Sequence, residues 1–470
     1  MRRVGKISWP IVLALTALQI LQAAKIVSAQ TDAASQNVSA QTQNAGATDQ
    51  QSERTPGLSS FIDMTGGVTA DDLVAYALAH NGELLAMREE VEAARALVKQ
   101  AGFRANPMLE ASGARAVNTS DNSLMISGRL PLELGGRREA RTLVAEREVE
   151  VRERMLADRE RTLSAEVRAK FGEALAQVLK LGFTEELLET SRRGYKLVVA
   201  RVVEGRTPPL EQNMVLVEVN RLRSMRETGV GRVEVAMLEL RNLAGMTPDE
   251  PLRLRGSFDN LIEQTPTLAE ATERALAERP DLQATRATER LAEARIAEAR
   301  AMGRADASLT AGYQRMSSSF PVNGINERGQ LAPVADTFHF LTFGVSVDLP
   351  VRNKNQGMIE AAVDEVEAAK RRREYAELTV RREVASAYAK YERAARSMEI
   401  FRVGVQEQAG ANLNVVRQTY ELGSKTLLDY IAEQRRFIEV ENEYIDAVLD
   451  TYLARVEIER ATSAPELIRR

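Results

Sequence analysis

Two stretches decide the fold when they are laid side by side: "TADDLVAYALAHNGELLAMR" from Thr69 and "TLAEATERALAERPDLQATR" from Thr267. They coincide at Ala77/Ala275, Leu78/Leu276, Leu84/Leu282 and Arg88/Arg286, at a constant offset of 198 residues. The chain is therefore an internal duplication. Further along, "LPLELGGR" at Leu130 aligns with "LPVRNKNQG" at Leu349, offset 219, and Gly205 aligns with Gly423, offset 218. About twenty extra residues lie between these anchors in the second half, and the stretch from Ser317 to His339, rich in Ser, Asn, Gly and Pro, is expected to be a surface loop.

Each half reads as helix, strand, loop, strand, very long helix, tip, helix. In the second half an apolar or small stripe runs Val380, Val384, Tyr388, Tyr391, Ala395, Met398, Phe401, Val405, Ala409, Leu413, Val416 and Tyr420. Its spacing of about 3.6 residues is one face of an α-helix. No proline falls between Pro131 and Pro208 or between Pro350 and Pro465. Helices of such length, at 1.5 Å per residue, reach about 100 Å. The low aromatic content of 5% agrees with long helices rather than a large globular core. A helix that long spans something or bundles with partners, and neighbouring helices are needed to offset internal glycines such as Gly404 and Gly410.

The expected strands alternate. In "LTFGVSVDL" Leu341, Phe343, Val345, Val347 and Leu349 share one face, and Thr342, Gly344, Ser346 and Asp348 the other. "LMISGRL" sets Leu124, Ile126 and Leu130 against Met125, Ser127 and Arg129, and "LTAGYQ" sets Leu309, Ala311 and Tyr313 against Thr310, Gly312 and Gln314. "MLEASGAR" from Met108 is the weakest of the four. Strands of about ten residues can cross a bilayer with the apolar side to lipid; the same alternation also suits a half-buried soluble sheet. If the strands are in a membrane, two hairpins cannot close a barrel, so several copies must share one. The only tryptophan, Trp9, lies near the N-terminus, which leaves Tyr313, Phe338 and Phe340 for any aromatic girdle.

The first 29 residues read as a secretory signal peptide: Arg2, Arg3 and Lys6, an apolar run from Ile11 to Leu21, then "VSA" before Gln30. That run is short for a transmembrane anchor, the other reading. Removal of the segment lowers the formal net charge from −4 to −8, which argues against a nucleic-acid partner. Residues 30–56 have almost nothing to bury and read as a disordered leader. The domains expected are a first repeat over 57–265, a second over 266–463 and a tail over 464–470. An exported chain without cysteine has neither disulfides nor an acylatable cysteine. His80 and His339 are the only histidines, so no metal site is expected. No phosphate loop, G-x-S-x-G or H-E-x-x-H motif occurs, and no catalytic residues or cofactor are expected. The long charged helices read as solvated faces.

Taken in order and twice over, "ALAHNGEL" and "ALAERPDL", the junctions "LPLELGGRREAR" and "LPVRNKNQG", the tip "RQTYELGSKTLLDYIAEQR", and the repeat ends "LRNLAG" and "IERATS" resemble outer-membrane efflux proteins of the TolC family, from about Thr69 to Ser463. The two junctions look most like the CzcC-type branch that serves heavy-metal efflux. The resemblance implies a mainly α protein with a membrane β part: a homotrimer whose long α-helical barrel in the periplasm carries a shared 12-stranded β-barrel in the outer membrane of a Gram-negative bacterium. It implies a passive, non-enzymatic duct for heavy-metal cations or small toxic compounds. The partners would be outer-membrane lipid, a periplasmic adaptor (membrane fusion) protein and an inner-membrane RND-type pump. A periplasmic coiled-coil scaffold without a channel is the alternative, and a hydrolase a more distant one.

The same resemblance assigns roles by position. Tyr420 and Lys425 would link to Glu211 in a periplasmic gate, and Asp429 would form a ring of three carboxylates across the trimer axis. The second ring position of the family falls on Ala432, so that ring is missing unless Glu433 substitutes. The tips "EGRTPPLE" and "ELGSKTLL", with Gly205, Arg206, Gly423 and Ser424, would meet the adaptor. Alternatively the glycines serve only the reversal, and the polar residues only a helix end. Gly82 stands where the family usually has proline, as Pro280 does in the second repeat.

Overall fold

The computed structural model describes residues 57–258, 266–325 and 327–463. The expected signal peptide, leader and tail lie outside the described residues. The first repeat consists of α1 (Ala70–His80), α2 (Gly82–Gly102), β1 (Met108–Arg115), β2 (Asn122–Pro131), α3 (Arg137–Val203) and α4 (Pro209–Ala244). The second consists of α5 (Leu268–Glu278), α6 (Pro280–Met302), β3 (Asp306–Ile325), β4 (Leu331–Asp348), α7 (Gln356–Ile400), a π-helical segment Phe401–Gln406, α8 (Glu407–Glu421) and α9 (Leu427–Thr462).

The two repeats start alike because their caps are alike. Thr69 and Thr267 each close a capping box, with Asp72 and Glu270 returning to the cap backbone. The next break differs. Pro280 opens α6 with its φ preset, whereas α2 begins at Gly82, and there the Asn81 side chain accepts from the Leu84 N–H at 3.1 Å. The asparagine cap supplies the start signal that proline gives in the other repeat.

Two apolar clusters, related by the duplication, hold the helices together. Leu73, Val74 and Ala77 of α1 pack with Phe171, Leu175 and Val178 of α3, Val233, Met237 and Leu240 of α4, and Leu252 and Leu254. Ala271 and Ala275 of α5 pack with Val380, Val384 and Tyr388 of α7 and with Ile458 and Ala461 of α9. The duplicated alanines Ala77 and Ala275 are both fully buried. Where α3 runs beside α9, a Cβ at Gly172 would lie 2.4 Å from the Tyr452 ring, so only glycine allows that approach.

At 67 residues, α3 is about 100 Å long. Its counterpart was expected to be one unbroken helix, but it changes pitch at Phe401–Gln406. Buried Val380, Val384, Tyr388, Tyr391 and Met398 precede the change, and the stripe beyond it is half-buried. Gln406 Nε2 there reaches both oxygens of Glu441 on α9 at 3.1 Å. Such wide turns are rare inside α-helices and are frequent at functional sites.

The sheet order is β1-β2-β3-β4, antiparallel throughout, and among the described residues both outer edges are open. The expected loop from Ser317 to His339 is instead strand. β3 runs for 20 residues and β4 for 18, paired out to Ile325 opposite Leu331, with a register shift between Ser319 and Asn323. Phe320, Val322, Val334, Thr337 and Phe338 suit a pleated surface, and Pro333 is tolerated because β4 is an edge strand. Only the turn near Gly329, at φ +74°, keeps loop character.

Candidate functional site

The register assigns every strand side chain to a face, since direct partners share one. Ile126, Tyr313 and Leu341 are aligned across three strands, as are Gly128, Ala311 and Phe343, and Leu130, Leu309 and Val345. The opposite face carries Ser127, Gly312 and Thr342, with Arg129, Thr310 and Gly344 on the next rung. The apolar face is open: Leu341 is 74% exposed, Phe343 81% and Val345 66%. Although both faces of β4 are exposed, on β3 Leu309, Ala311 and Tyr313 are exposed while Thr310, Gly312 and Gln314 are half-buried. In β2, Leu124 and Ile126 are exposed while Met125 and Ser127 are half-buried. A soluble sheet hides its apolar face; this one turns it outward, as a wall against lipid does. Among the described residues no helix is long and apolar enough to cross a membrane. The aromatic girdle needs correction. Phe338 and Phe340 pair with Met316 and Gln314 and so lie on the polar face, leaving Tyr313, whose Oη is 2.6 Å from His339 Nδ1, on the lipid side.

At the far end the chain reverses twice. Gly205 and Gly423 adopt φ of +69° and +79°, and their N–H groups donate to the Val202 and Tyr420 carbonyls. A side chain is strained in that conformation. Arg206 and Ser424 beside them are exposed.

Glu211 and Asp429 are equivalent by the 218-residue offset, each third in its return helix, yet their surroundings differ. Thr426 caps α9, and Asp429 Oδ2 accepts from its Oγ1 at 2.8 Å and its N–H at 3.0 Å. Those bonds, chiefly the hydroxyl's, hold the Asp429 carboxyl below its ordinary value. The cap of α4 is Pro208, which has no side-chain donor, so Glu211 is not drawn into a capping box. It accepts instead from Tyr420 Oη at 3.4 Å. The Tyr420 ring stacks on Tyr430 with centroids 5.9 Å apart and planes 7° from parallel. Burial, and then the charge of Glu211, raise the Tyr420 pKa. Lys425 is exposed and makes no ion pair with Glu211 among the described residues; its charge acts on Asp429. Tyr420 and Glu211 are thus together, Asp429 is occupied as a cap, and Lys425 stands apart.

Sequence reasoning missed a second junction beyond this one. Glu218, only 3% exposed, receives Arg435 Nη2 of α9 at 2.9 Å and Arg221 Nη2 at 2.7 Å. Gln434 of α9 donates to Ser191 Oγ of α3 at 3.0 Å. Glu218 lies seven residues, two turns, after Glu211 on the same helix face, and that spacing was the available signal. Among the described residues no group of three or more His, Cys, Asp or Glu is placed to hold a metal ion.

A family model described as "Outer membrane efflux protein" matches residues 73–245 and 271–464. The cobalt-zinc-cadmium resistance protein CzcC of Cupriavidus metallidurans is 21% identical over 395 residues, which cover 84% of this chain and 90% of that one. Among solved structures, CusC superposes with a TM-score of 0.68 at 18% identity, over 86% of this chain and 94% of that one. A membrane protein of Pseudomonas aeruginosa gives 0.66 at 22% identity, covering 86% and 95%. VceC of Vibrio cholerae gives 0.64 at 15%, covering 84% and 96%.

Proposed function

The chain belongs to the outer membrane efflux protein family, and from that premise we propose that it is the exit duct of a tripartite pump for divalent heavy-metal cations, with the helix tips as its gate and docking end. As in that family, three copies share one 12-stranded barrel in the outer membrane above a periplasmic helical barrel, and the duct works with a periplasmic adaptor and an inner-membrane RND-type pump. The observation that carries the channel reading is the outward apolar face on a four-stranded sheet whose two edges are open: lipid covers the face, and a neighbouring copy closes each edge.

The cation reading is supported by the likeness to a cobalt-zinc-cadmium resistance protein. A wide duct with no ligand cluster among the described residues need not select its cargo, and it has no reaction to perform; energy and selectivity come from the pump. At the periplasmic end, the Tyr420–Glu211 bond draws the return helix of one repeat to the tip of the other, and its release lets the inner pair swing outward. The exposed Arg206 and Ser424 flank the reversals where an adaptor would seat. Domain limits of 1–29, 30–56, 57–265, 266–463 and 464–470 complete the proposal.

Deletion of the gene tests the cargo. Tolerance to cobalt, zinc and cadmium salts should fall severalfold and return with the gene on a plasmid, with tolerance to lipophilic dyes unchanged. The reverse pattern would overturn the cation reading and leave the duct standing.

A further inference from the structure

The strand wall changes character along its length. From Val347 to Leu341 the lipid-side positions of β4, and Leu349 just past its end, are all apolar, and Leu309, Ala311 and Tyr313 match them on β3. Nine residues at about 3.3 Å each, tilted by about 40°, rise about 23 Å, the height of a barrel's apolar band. Between Tyr313 and Ser317 the two faces exchange polarity; farther out Ser318 faces Asp336 on the lumen side, and Ile325 faces Leu331 on the outer side. The outer side now carries Arg315 opposite His339, and Ser317 opposite Thr337 with their hydroxyl oxygens 2.9 Å apart. The lumen side carries Met316 opposite Phe338, and Phe340 stacks on Phe338 at 6.3 Å. Phe320 meets Phe338 edge-on, with centroids 6.2 Å apart. Past the Ser318–Asp336 rung, Val334 lies on this side too, since a Cβ on Gly324, which pairs with Ala332, would sit 3.0 Å from Val334 Cγ2.

β2 starts at Asn122 opposite Ser317, and Asp121 Oδ1 just before it accepts from the Ser319 N–H and Oγ, so past Ser319 β3 and β4 stand clear as a two-stranded ribbon. A free hairpin is marginal in water, and an apolar face at a water-filled mouth calls for cover. We propose that the ribbons of the three copies fold over the barrel mouth and pack Phe320, Phe338 and Val334 on one another, forming an apolar lid at the cell surface. The occupant of each face is a second copy of this chain. The seam between copies leads there: β4 offers 18 residues of edge, whereas β1, the free edge of the next copy, offers 8. Twelve strands about 4.8 Å apart and tilted by about 40° enclose a radius of about 12 Å. The ribbon from Thr337 to Leu331 is about 20 Å long, enough to reach the axis. A closure of this kind excludes ions by dewetting and yields to cargo pushed from within. The proposal rests on the outer-membrane trimer reading above.

The natural sequence has no cysteine, so single cysteines report cleanly. In the full-length protein on intact cells, Val334→Cys should be joined into dimers and trimers by a short bismaleimide, and Phe320→Ser with Phe338→Ser in that background should cut the yield at least fivefold. Leu331→Cys, on the outer side, should take up a membrane-impermeant maleimide without cross-linking. Ala332→Cys serves as the second lumen-side probe where Val334→Cys lowers trimer recovery. Lumen-side cysteines that label as fast as Leu331→Cys and do not cross-link would overturn the lid. An unlabelled Leu331→Cys would instead overturn the cell-surface placement and the lid with it.

Discussion

Val345→Arg puts the outward wall to its hardest test. Val345 is the middle of the five lipid-side residues from Leu341 to Leu349, opposite Leu309, and 66% exposed in the single chain. Four residues of strand separate it from either end of the apolar band, about 13 Å along the strand and about 10 Å in depth once tilted. An arginine there lies near the bilayer midplane and costs about 2 to 4 kcal/mol per chain. A trimer bears that cost three times. The companion change, Ser346→Arg, moves the same charge by one residue onto the lumen face, opposite Ser308, where water receives it. Outer membranes are extracted after a carbonate wash, and the heat-sensitive trimer band is compared with the boiled monomer. Val345→Arg should abolish or strongly reduce the trimer, and Ser346→Arg should match wild type. Equal loss in both variants, or none in either, would refute the assignment of faces.

Tyr420→Phe removes a partly exposed bond worth about 0.5 to 1 kcal/mol per copy, and together with Lys425→Glu it should raise single-channel conductance. Asp429→Asn, which keeps an acceptor for Thr426, should weaken block by divalent cations added on the periplasmic side; unchanged block would remove Asp429 from the pore. Arg206→Trp with Ser424→Trp should abolish efflux while the trimer remains in the outer membrane, and retained efflux would place the adaptor contact elsewhere. Burial pushes the Glu459 pKa up to about 7 despite Arg168 and Arg455 close by. Its folded value lies above the unfolded one, so the folded state holds the proton more tightly and stability falls as pH rises from about 4.5 to about 7. Glu459→Gln should flatten that slope and raise stability at pH 8 by up to about 3 kcal/mol, read from thermal melts at pH 5 and pH 8.

The duplication, the long helices, the four strands and their faces were legible because each rests on a repeating pattern: a constant offset, a 3.6-residue stripe, a two-residue alternation. Three features were not. The ribbon beyond Ser317 was read as a loop because Ser, Asn, Gly and Pro dominate it, while the aromatic and β-branched residues that pair it are sparse. The π-helical segment was not legible, since steps of three and four residues occur all along the stripe and its run of four-residue steps from Phe401 to Leu413 resembles the one from Val380 to Tyr388. At the tip, the acidic positions Glu211 and Asp429 were legible from the repeat. Their different employment depends on whether a proline or a threonine precedes each by three residues, and the Glu218–Arg435 pair depends on how α4 meets α9. Contacts between distant segments have no local signature.

The central claim is that three chains make one passive pore. Single-channel recording of the purified wild-type trimer in a planar bilayer tests it most directly. The account predicts discrete steps of one size, one pore per inserted trimer, with current driven by voltage or concentration alone. Intact trimers that pass no current, or steps that occur in groups of three as if each chain held its own pore, would contradict it.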